Sequence, residues 1–201
     1  MKVTLLDYGA GNVTSVARAL VQLGAQVTCS HDPKDIAVAE CLVLPGVGHC
    51  AALINAIDSY ALRQPLQEAI ARGTPFLGIC LGLQALYANS TEAPGLVGLG
   101  LLKGHVTRLT DGVKLPHMGW NQVRATRASR LLEGIPAEAY YYFAHSYAAP
   151  AAGPESVAAC EYGGEFVAVL EQQNIFGVQF HPEKSGSPGR MLLDNFLRCA
   201  A

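Results

Sequence analysis

The stretch Thr74-Pro75-Phe76-Leu77-Gly78-Ile79-Cys80-Leu81-Gly82-Leu83-Gln84-Ala85-Leu86 changes its pattern at Cys80. The apolar run before Cys80 predicts a short buried strand, and Leu and Ala at helical spacing after it predict the start of a helix. Gly78 and Gly82 leave room for a sharp turn between the two. Such a turn is a nucleophile elbow, which holds its side chain at the positive end of the helix, where a thiolate is favoured. A buried cysteine in an ordinary α/β core is the alternative interpretation.

On the N-terminal side of this elbow, strand and helix patterns alternate. The predicted strands are 2–6, 26–30, 41–44 and 76–79, and the predicted helices are 13–23, a short one within 31–39, and 50–71 with an interruption near Pro65. Alternation of this kind predicts right-handed βαβ units and a parallel sheet that is covered on both faces.

On the C-terminal side, beyond Asn89, Gly, Pro and β-branched residues dominate. The predicted strands are 106–109, 122–125, 140–143, 156–162, 166–172 and 175–179, followed by a helix at 189–199. These strands predict an antiparallel or mixed extension of the sheet. The expected fold class is therefore α/β, a three-layer sandwich around a mostly parallel sheet, in one domain that spans residues 1–201.

Composition excludes several classes of function. Half of the 201 residues are hydrophobic, 15% are charged and the net charge is −2, which argues against a nucleic-acid or anionic-membrane surface. Asp7 interrupts the N-terminal apolar run too soon for a signal peptide, and no run has the length of a membrane span. Six scattered cysteines without a C-x-x-C pair predict neither a disulfide scaffold nor a zinc site, and they favour a reducing cytoplasm.

The second half of the chain contains a candidate base. In Gly177-Val178-Gln179-Phe180-His181-Pro182-Glu183 an apolar strand ends at a histidine, and an acidic residue follows two positions later. A cysteine nucleophile needs a base within hydrogen-bond reach, and that base needs a third group to orient it. Strand ends converge at one edge of a parallel sheet, so His181 can reach Cys80. Taken singly, His181 is a satisfied loop histidine and Glu183 a solvated charge; their combination with the elbow favours a triad.

Pro45-Gly46-Val47-Gly48 ends the third predicted strand. The backbone N–H groups of Val47 and Gly48, together with that of Leu81 after the nucleophile, are candidate donors to a developing oxyanion. An ordinary glycine turn between a strand and a helix is the alternative.

These motifs resemble a known family. Gly-Ile-Cys-Leu-Gly-Leu-Gln with a later His-Pro-Glu is similar to the triad-type, class I glutamine amidotransferases. Four further stretches narrow the resemblance to the glutaminase subunits of imidazole glycerol phosphate synthases: Asp7-Tyr8-Gly9-Ala10-Gly11-Asn12, Lys114-Leu115-Pro116-His117-Met118-Gly119-Trp120-Asn121, Tyr142-Phe143-Ala144-His145-Ser146-Tyr147 and His181-Pro182-Glu183-Lys184-Ser185-Gly186. The resemblance extends over nearly the whole chain.

The resemblance implies roles for the residues that match. Cys80, His181 and Glu183 would be the nucleophile, the acid and base, and the orienting carboxylate of a glutaminase. Val47, Gly48 and Leu81 would form the oxyanion hole. Gln84 and the segment His145, Ser146 and Tyr147 would hold L-glutamine, and Asn12, Trp120 and Lys184 would face a partner.

The partner implied by the resemblance is a separate (β/α)₈ cyclase subunit, which forms a heterodimer with the glutaminase and uses its ammonia in histidine biosynthesis. The sequence has no P-loop and no G-x-G-x-x-G, so it predicts no cofactor and no nucleotide site in this chain. We expect the glutaminase to be nearly idle alone, with the Gly46–Gly48 loop rotating to complete the oxyanion hole. The alternatives are the glutaminase of another synthase, for example that of pyridoxal phosphate synthesis, a cysteine hydrolase of peptides or esters, or an inactive binding module.

Overall fold

A computed structural model describes residues 1–9, 12–110 and 112–200. The strands are β1 (Lys2–Leu6), β2 (Gln26–Ser30), β3 (Leu42–Leu44), β4 (Phe76–Ile79), β5 (Tyr87–Ser90), β6 (Leu102–Arg108), β7 (His117–Gln122), β8 (Arg124–Ala125), β9 (Tyr140–His145), β10 (Tyr147–Ala148), β11 (Ser156–Glu161), β12 (Glu165–Gln172) and β13 (Ile175–Val178). The helices are α1 (Val13–Gln22), α2 (Pro33–Ala37), α3 (Cys50–Ser59), α4 (Arg63–Ala71), α5 (Leu81–Gln84) and α6 (Gly186–Cys199), with a 3-10 turn at Pro182–Lys184.

In the described part of the chain the main sheet has eight strands, in the order β2-β1-β3-β4-β13-β12-β11-β8. The first five strands of that order run parallel, and β12, β11 and β8 extend the sheet in antiparallel fashion. The predicted fold class is thus confirmed. The two smaller ladders are β10-β6-β5 and β7-β9.

Each face of the main sheet is covered by its own apolar core. On one face, α1 and α6 contribute Val16, Leu20 and Phe196. On the other face, α3 and α4 contribute Leu53 and Leu66. Because side chains alternate along a strand, neighbouring residues of β3 and β4 supply both cores, which is why these strands read as continuous apolar runs. Within the described residues, no helix combines the length and the apolar character that crossing a membrane requires.

The helical segment 50–71 is interrupted, as predicted, but the break lies between α3 and α4 rather than at Pro65. Ala61 adopts a left-handed conformation with φ 55°, and the Leu62 N–H donates to the Ile57 carbonyl over 2.8 Å. The break therefore lies before Pro65. That proline is in the first turn of α4, where its missing N–H costs no helical hydrogen bond.

Further differences lie after the elbow. The helix that follows Cys80 has one turn, and the chain then enters β5, which pairs in parallel with β6. The predicted strand 122–125 is instead the end of β7 followed by the short β8, and α6 begins at Gly186 rather than Gly189. These strands depend on partners far away in the sequence, which local patterns do not report. The tight loop predicted at 7–12 includes Ala10 and Gly11, which lie outside the described residues.

Candidate active site

Cys80 occupies the turn between β4 and α5. Its backbone has φ 53° and ψ −106°, a conformation that residues other than glycine rarely adopt. The Cys80 N–H donates to the Val178 carbonyl over 2.7 Å, while the Cys80 carbonyl accepts from the N–H groups of Leu83 and Gln84. These bonds hold the strained residue between the end of β13 and the first turn of α5.

Two glycines make the close approach at this turn possible. A Cβ added to Gly82 would lie 1.9 Å from the Leu44 carbonyl oxygen at the end of β3. A Cβ added to Gly78 would lie 2.6 Å from the Gly82 carbonyl oxygen. Both contacts are with backbone atoms, which cannot move aside without displacing the strand β3 or the helix α5. Glycine is therefore required on both sides of Cys80.

His181 follows β13, the parallel neighbour of β4, and so lies at the same edge of the sheet as Cys80. Its Nδ1 is 2.9 Å from Oε1 of Glu183, and both side chains are almost completely buried. Burial by itself lowers the pKa of His181. Hydrogen bonds to Cys80 and Glu183 and the charges of both outweigh this effect and raise the pKa to about 10. These contacts therefore favour the charged form of the imidazole.

Neighbouring groups hold the His181 backbone and the Glu183 side chain. The Ser185 hydroxyl donates to the His181 carbonyl over 2.6 Å and accepts from the Tyr142 N–H over 3.0 Å. The His181 N–H donates to the Tyr142 carbonyl over 2.9 Å. The Asn12 side-chain amide donates to Glu183 Oε1 over 2.7 Å. Asn12, which sequence reasoning assigned to the partner face, therefore also contacts the candidate triad.

The candidate oxyanion donors are engaged inside the protein. The Val47 N–H donates to the Tyr8 hydroxyl over 3.3 Å, and the Leu81 N–H donates to the Gly46 carbonyl over 3.4 Å. Gly48 has φ +96°, in the left-handed region that favours glycine. A rotation in this loop would redirect the Val47 and Leu81 donors, which the observed arrangement directs to Tyr8 and Gly46.

A cavity of about 140 Å³ opens above Cys80. It brings together the candidate triad, oxyanion and substrate-binding segments at the ends of β3, β4, β13 and β9. The described residues that line it are Val47, Gly48, Cys80, Leu81, Gln84, Glu92, Ala144, His145, Ser146, Tyr147, His181 and Lys184. Glu183 lies behind His181, and Asn12 and Trp120 lie outside the lining. Among the described residues, no group of three or more His, Cys, Asp or Glu side chains could hold a metal ion.

Sequence reasoning missed two polar residues of this site. Glu92 lines the cavity, and its Oε2 accepts from the Cys50 N–H over 2.9 Å at the start of α3. No local pattern marks Glu92, since it comes from the irregular segment after β5. Gln179 lies in the predicted strand 175–179, and its side-chain amide contacts the Cys80 sulfur at 3.5 Å. A glutamine inside an apolar run, two residues before the candidate base, was the available signal.

A series of hydrogen bonds between uncharged groups supports the far wall of the cavity. His145 Nδ1 lies 2.9 Å from the Tyr147 carbonyl, which can only accept, so Nδ1 carries the proton. Burial lowers the pKa of His145 to about 3 and that of His117 to about 4, so both rings are neutral. His145 Nε2 therefore accepts from His117 Nδ1 over 3.1 Å, and His117 Nε2 accepts from the Asn121 amide over 3.3 Å.

This arrangement makes folding stability depend on pH. Since folding lowers the pKa values of His117 and His145, the unfolded chain binds more protons below about pH 6.5, and stability falls as the pH decreases towards about 4. We expect His117→Asn, whose amide can donate to His145 without titrating, to reduce that loss by about 1–3 kcal/mol. Urea unfolding at neutral pH and at pH 4.5 measures it. His105→Asn, at an exposed position on β6, is the control and should follow the wild type. If the free energy of unfolding falls by the same amount between the two pH values in all three proteins, the assignment of neutral His117 and His145 is contradicted.

Comparison with known families agrees with this geometry. The family described as glutamine amidotransferase class-I matches residues 4–199. Proteins named imidazole glycerol phosphate synthase subunit HisH are similar over almost the full length. The relative from Methanothermobacter thermautotrophicus is 46% identical over 195 residues, which cover 97% of each chain. The relative from Deinococcus radiodurans is 44% identical over 200 residues, which cover 98% of this chain and 93% of the other.

Solved structures share the fold at lower sequence identity. A structure described as a glutamine amidotransferase superposes with a TM-score of 0.79 at 20% identity, covering 98% of both chains. A chain of the structure described as PurLQS from Thermotoga maritima superposes with a TM-score of 0.74 at 19% identity, covering 98% of this chain and 97% of the other. At this level of identity the likeness concerns the fold alone.

Proposed function

Since this chain belongs to the class-I glutamine amidotransferases and, within them, to the HisH subunits of imidazole glycerol phosphate synthase, we propose that it hydrolyses glutamine to glutamate and ammonia for a separate cyclase subunit. The cyclase uses the ammonia to form imidazole glycerol phosphate and an aminoimidazole carboxamide ribonucleotide in histidine biosynthesis. The observation that carries the proposal is the placement of Cys80, His181 and Glu183 together beneath one small cavity.

The first half of the reaction forms a thioester. The Cys80 thiolate attacks the carboxamide carbon of glutamine and gives a tetrahedral oxyanion. Protonated His181 donates its proton to the departing nitrogen, the carbon–nitrogen bond breaks, and ammonia leaves. Glu183 accepts a hydrogen bond from Nδ1 of His181 and stabilises the charged ring before the transfer.

The second half of the reaction consumes one water molecule. His181, now neutral, takes a proton from water, and the resulting hydroxide attacks the thioester carbon. Collapse of the second tetrahedral intermediate breaks the carbon–sulfur bond, releases glutamate, and restores the thiolate beside a protonated His181. The balance is glutamine plus water to glutamate plus ammonia, and both proton transfers pass through one ring nitrogen.

The resting oxyanion loop supports control by the partner. Val47 and Leu81 can donate to the oxyanion only after leaving Tyr8 and Gly46, and a loop containing Gly48 can make that change by rotating a peptide. A partner that binds the rotated loop more tightly than the resting loop shifts the population towards it. Ammonia is then produced mainly when the cyclase can use it.

The cavity wall offers recognition for a free amino acid. The Glu92 carboxylate is suited to the α-ammonium group of glutamine, and Lys184 at the rim is suited to its α-carboxylate. The carbonyls of Ser146 and Tyr147 already accept hydrogen bonds from the protein, so these residues would contact the ligand through their other atoms. A cavity of about 140 Å³ fits one amino acid and disfavours the peptide or ester hydrolase alternative.

An exposed aromatic surface near the cavity supports a protein partner. Trp120 is 55% exposed and packs edge-on against Tyr142, whose ring lies 5.8 Å from Lys184 Nζ. Met118 and Tyr140 on the same ladder are 65% and 53% exposed. Aromatic residues and methionine are enriched at protein interfaces. The proposed occupant is the (β/α)₈ cyclase in a heterodimer, and the net charge of −2 supports a protein partner over nucleic acid or a membrane surface.

The cysteines support a location in the cytoplasm. None of the six, all of which lie in the described residues, forms a disulfide. Free thiols persist in the reducing cytoplasm, where histidine biosynthesis would take place.

Glutamate release, measured with and without the cyclase and its nucleotide, tests the proposal. We expect turnover to increase strongly when both are added. Trp120→Ala should raise the cyclase concentration needed for half-maximal activation, whereas Val97→Ala, also at an exposed apolar position, should not. If no glutamate is released under any of these conditions, the proposed glutaminase activity is refuted. Equal rates with and without the partner would refute the coupling, and activation by the synthase of pyridoxal phosphate alone would favour that alternative.

A further inference from the structure

Gln179 contacts both the candidate nucleophile Cys80 and Gln84, a residue of the cavity lining. Its side chain is fully buried at the end of β13. Its Nε2 is 3.5 Å from the Cys80 sulfur, and its Oε1 accepts from Nε2 of Gln84 over 3.0 Å. Nothing in the proposed glutaminase reaction uses this side chain.

The surrounding hydrogen bonds determine which end of the Gln179 amide faces sulfur. The Tyr147 carbonyl can only accept, so the group of Gln84 that faces it at 2.7 Å must be the NH₂ group. The same nitrogen has a second hydrogen, which it donates to Gln179. Gln179 must therefore present its oxygen to Gln84 and its NH₂ group to Cys80. The orientation follows from a backbone carbonyl and does not depend on an arbitrary assignment of amide atoms.

We propose that Gln179 is a further catalytic residue, a neutral donor whose N–H stabilises the thiolate of Cys80. The inference rests on the proposed glutaminase function and assigns to that site a group that directly touches the reacting sulfur. Donors in a water-excluded site stabilise an anion more strongly than they would in water, because no water competes with them.

The chemistry of the two donors at sulfur differs. His181 gives up its proton to the departing ammonia, so in the thioester state its ring is neutral. An amide does not titrate, and Gln179 therefore remains a donor throughout the cycle. When the carbon–sulfur bond breaks and the electron pair returns to sulfur, the Gln179 N–H is already in place to receive it. Gln84 and the Tyr147 carbonyl act as positioning groups that hold the amide in this orientation.

The test measures how fast the Cys80 sulfur is alkylated. Iodoacetamide alkylates a thiolate much faster than a thiol, and mass spectrometry of the peptide that contains Cys80 separates it from the other cysteines. Gln179→Met keeps the approximate shape but has no donor and no charge. A hydrogen bond to a charged group changes an equilibrium constant by roughly 10- to 100-fold, so at pH values below the wild-type midpoint alkylation should slow by about that factor. In Gln179→Met, the midpoint of the pH profile of Cys80 alkylation should move up by about 1–2 pH units.

Controls separate the outcomes. Gln172→Met, at an exposed position on β12, should alkylate at the wild-type rate. The ionisable groups around Cys80 are His181, His145, Glu92 and Lys184 in the cavity and Tyr8 behind it, and all are unchanged in both variants. A Gln179→Met protein that unfolds at the wild-type urea concentration and alkylates at the wild-type rate and midpoint would overturn the proposal.

A second measurement serves if Gln179→Met does not fold. In the wild-type chain, the side-chain amide protons of Gln179 should shift in NMR spectra with the same pH midpoint as Cys80 alkylation. Resonances that stay constant through that midpoint would overturn the proposal. Neither readout needs glutamine or a partner, so failure of the glutaminase assay and failure of this inference are distinguishable.

Discussion

Replacement of Cys80 by alanine should lower glutamine-dependent turnover, assayed with the cyclase and its nucleotide, by at least roughly 10⁴-fold. The reason is that, among the described residues that line the cavity, Cys80 is the one thiol that can form the thioester. His181 and Glu183 would remain in place, but without a nucleophile no thioester would form. Steady-state glutamate release, with and without ammonium salt in the synthase assay, measures the effect.

Two controls make this result specific to the sulfur. Cys160→Ala removes another buried thiol, one whose pKa burial raises to about 12, and should retain activity. Ammonium salt should restore synthesis by the complex of the cyclase with Cys80→Ala, because added ammonia bypasses the glutaminase. Glutamine turnover within about tenfold of the wild type would refute the assignment of the nucleophile.

The second large effect is expected from Gly82→Ala. Helix propensity alone predicts that alanine stabilises α5 by about 1 kcal/mol. The structure predicts the opposite sign, since the new Cβ would lie 1.9 Å from the Leu44 carbonyl oxygen, a backbone atom of the central strand β3. We expect the free energy of unfolding to fall by about 3 kcal/mol or more, and glutaminase activity to be lost as the Cys80 turn is displaced.

Gly177→Ala is the matched control for this substitution. It adds the same methyl group to a buried glycine, but its nearest contacts are side-chain carbons of Leu170 and Leu83 at 3.0–3.2 Å, which can shift. Its cost should stay within about 1 kcal/mol. Urea unfolding of both variants measures the difference, and a Gly82→Ala protein as stable as Gly177→Ala would show that the β3–α5 approach is not tight.

Much of the fold could be predicted because its signals are local. The strands 2–6, 26–30 and 76–79 have the predicted bounds, since short runs of apolar and β-branched residues bounded by turns are typical of strands. The family was also predicted, because Cys80, His181 and Glu183 lie in short motifs, and the matches to the class-I glutamine amidotransferases and the HisH relatives confirm it. The roles of individual site residues remain predictions that the proposed variants test.

Other features depend on contacts between distant segments. The strand β5 and the position of Glu92 against the start of α3 have no local signature, because each is stabilised by partners that local patterns do not report. The same is true of the path from the Tyr147 carbonyl through Gln84 and Gln179 to the Cys80 sulfur.

The amino-acid sequence by itself determined which residues could carry out the chemistry, since a cysteine between two glycines and a later His-Pro-Glu are properties of short segments. Only the tertiary structure decided the state of the site. The parallel pairing of β4 with β13 joins the two motifs, and the hydrogen bonds of Val47 with Tyr8 and of Gln179 with Cys80 set which donors are engaged. The physical reason is that a hydrogen bond depends on distance and direction in space, and separation along the chain specifies neither.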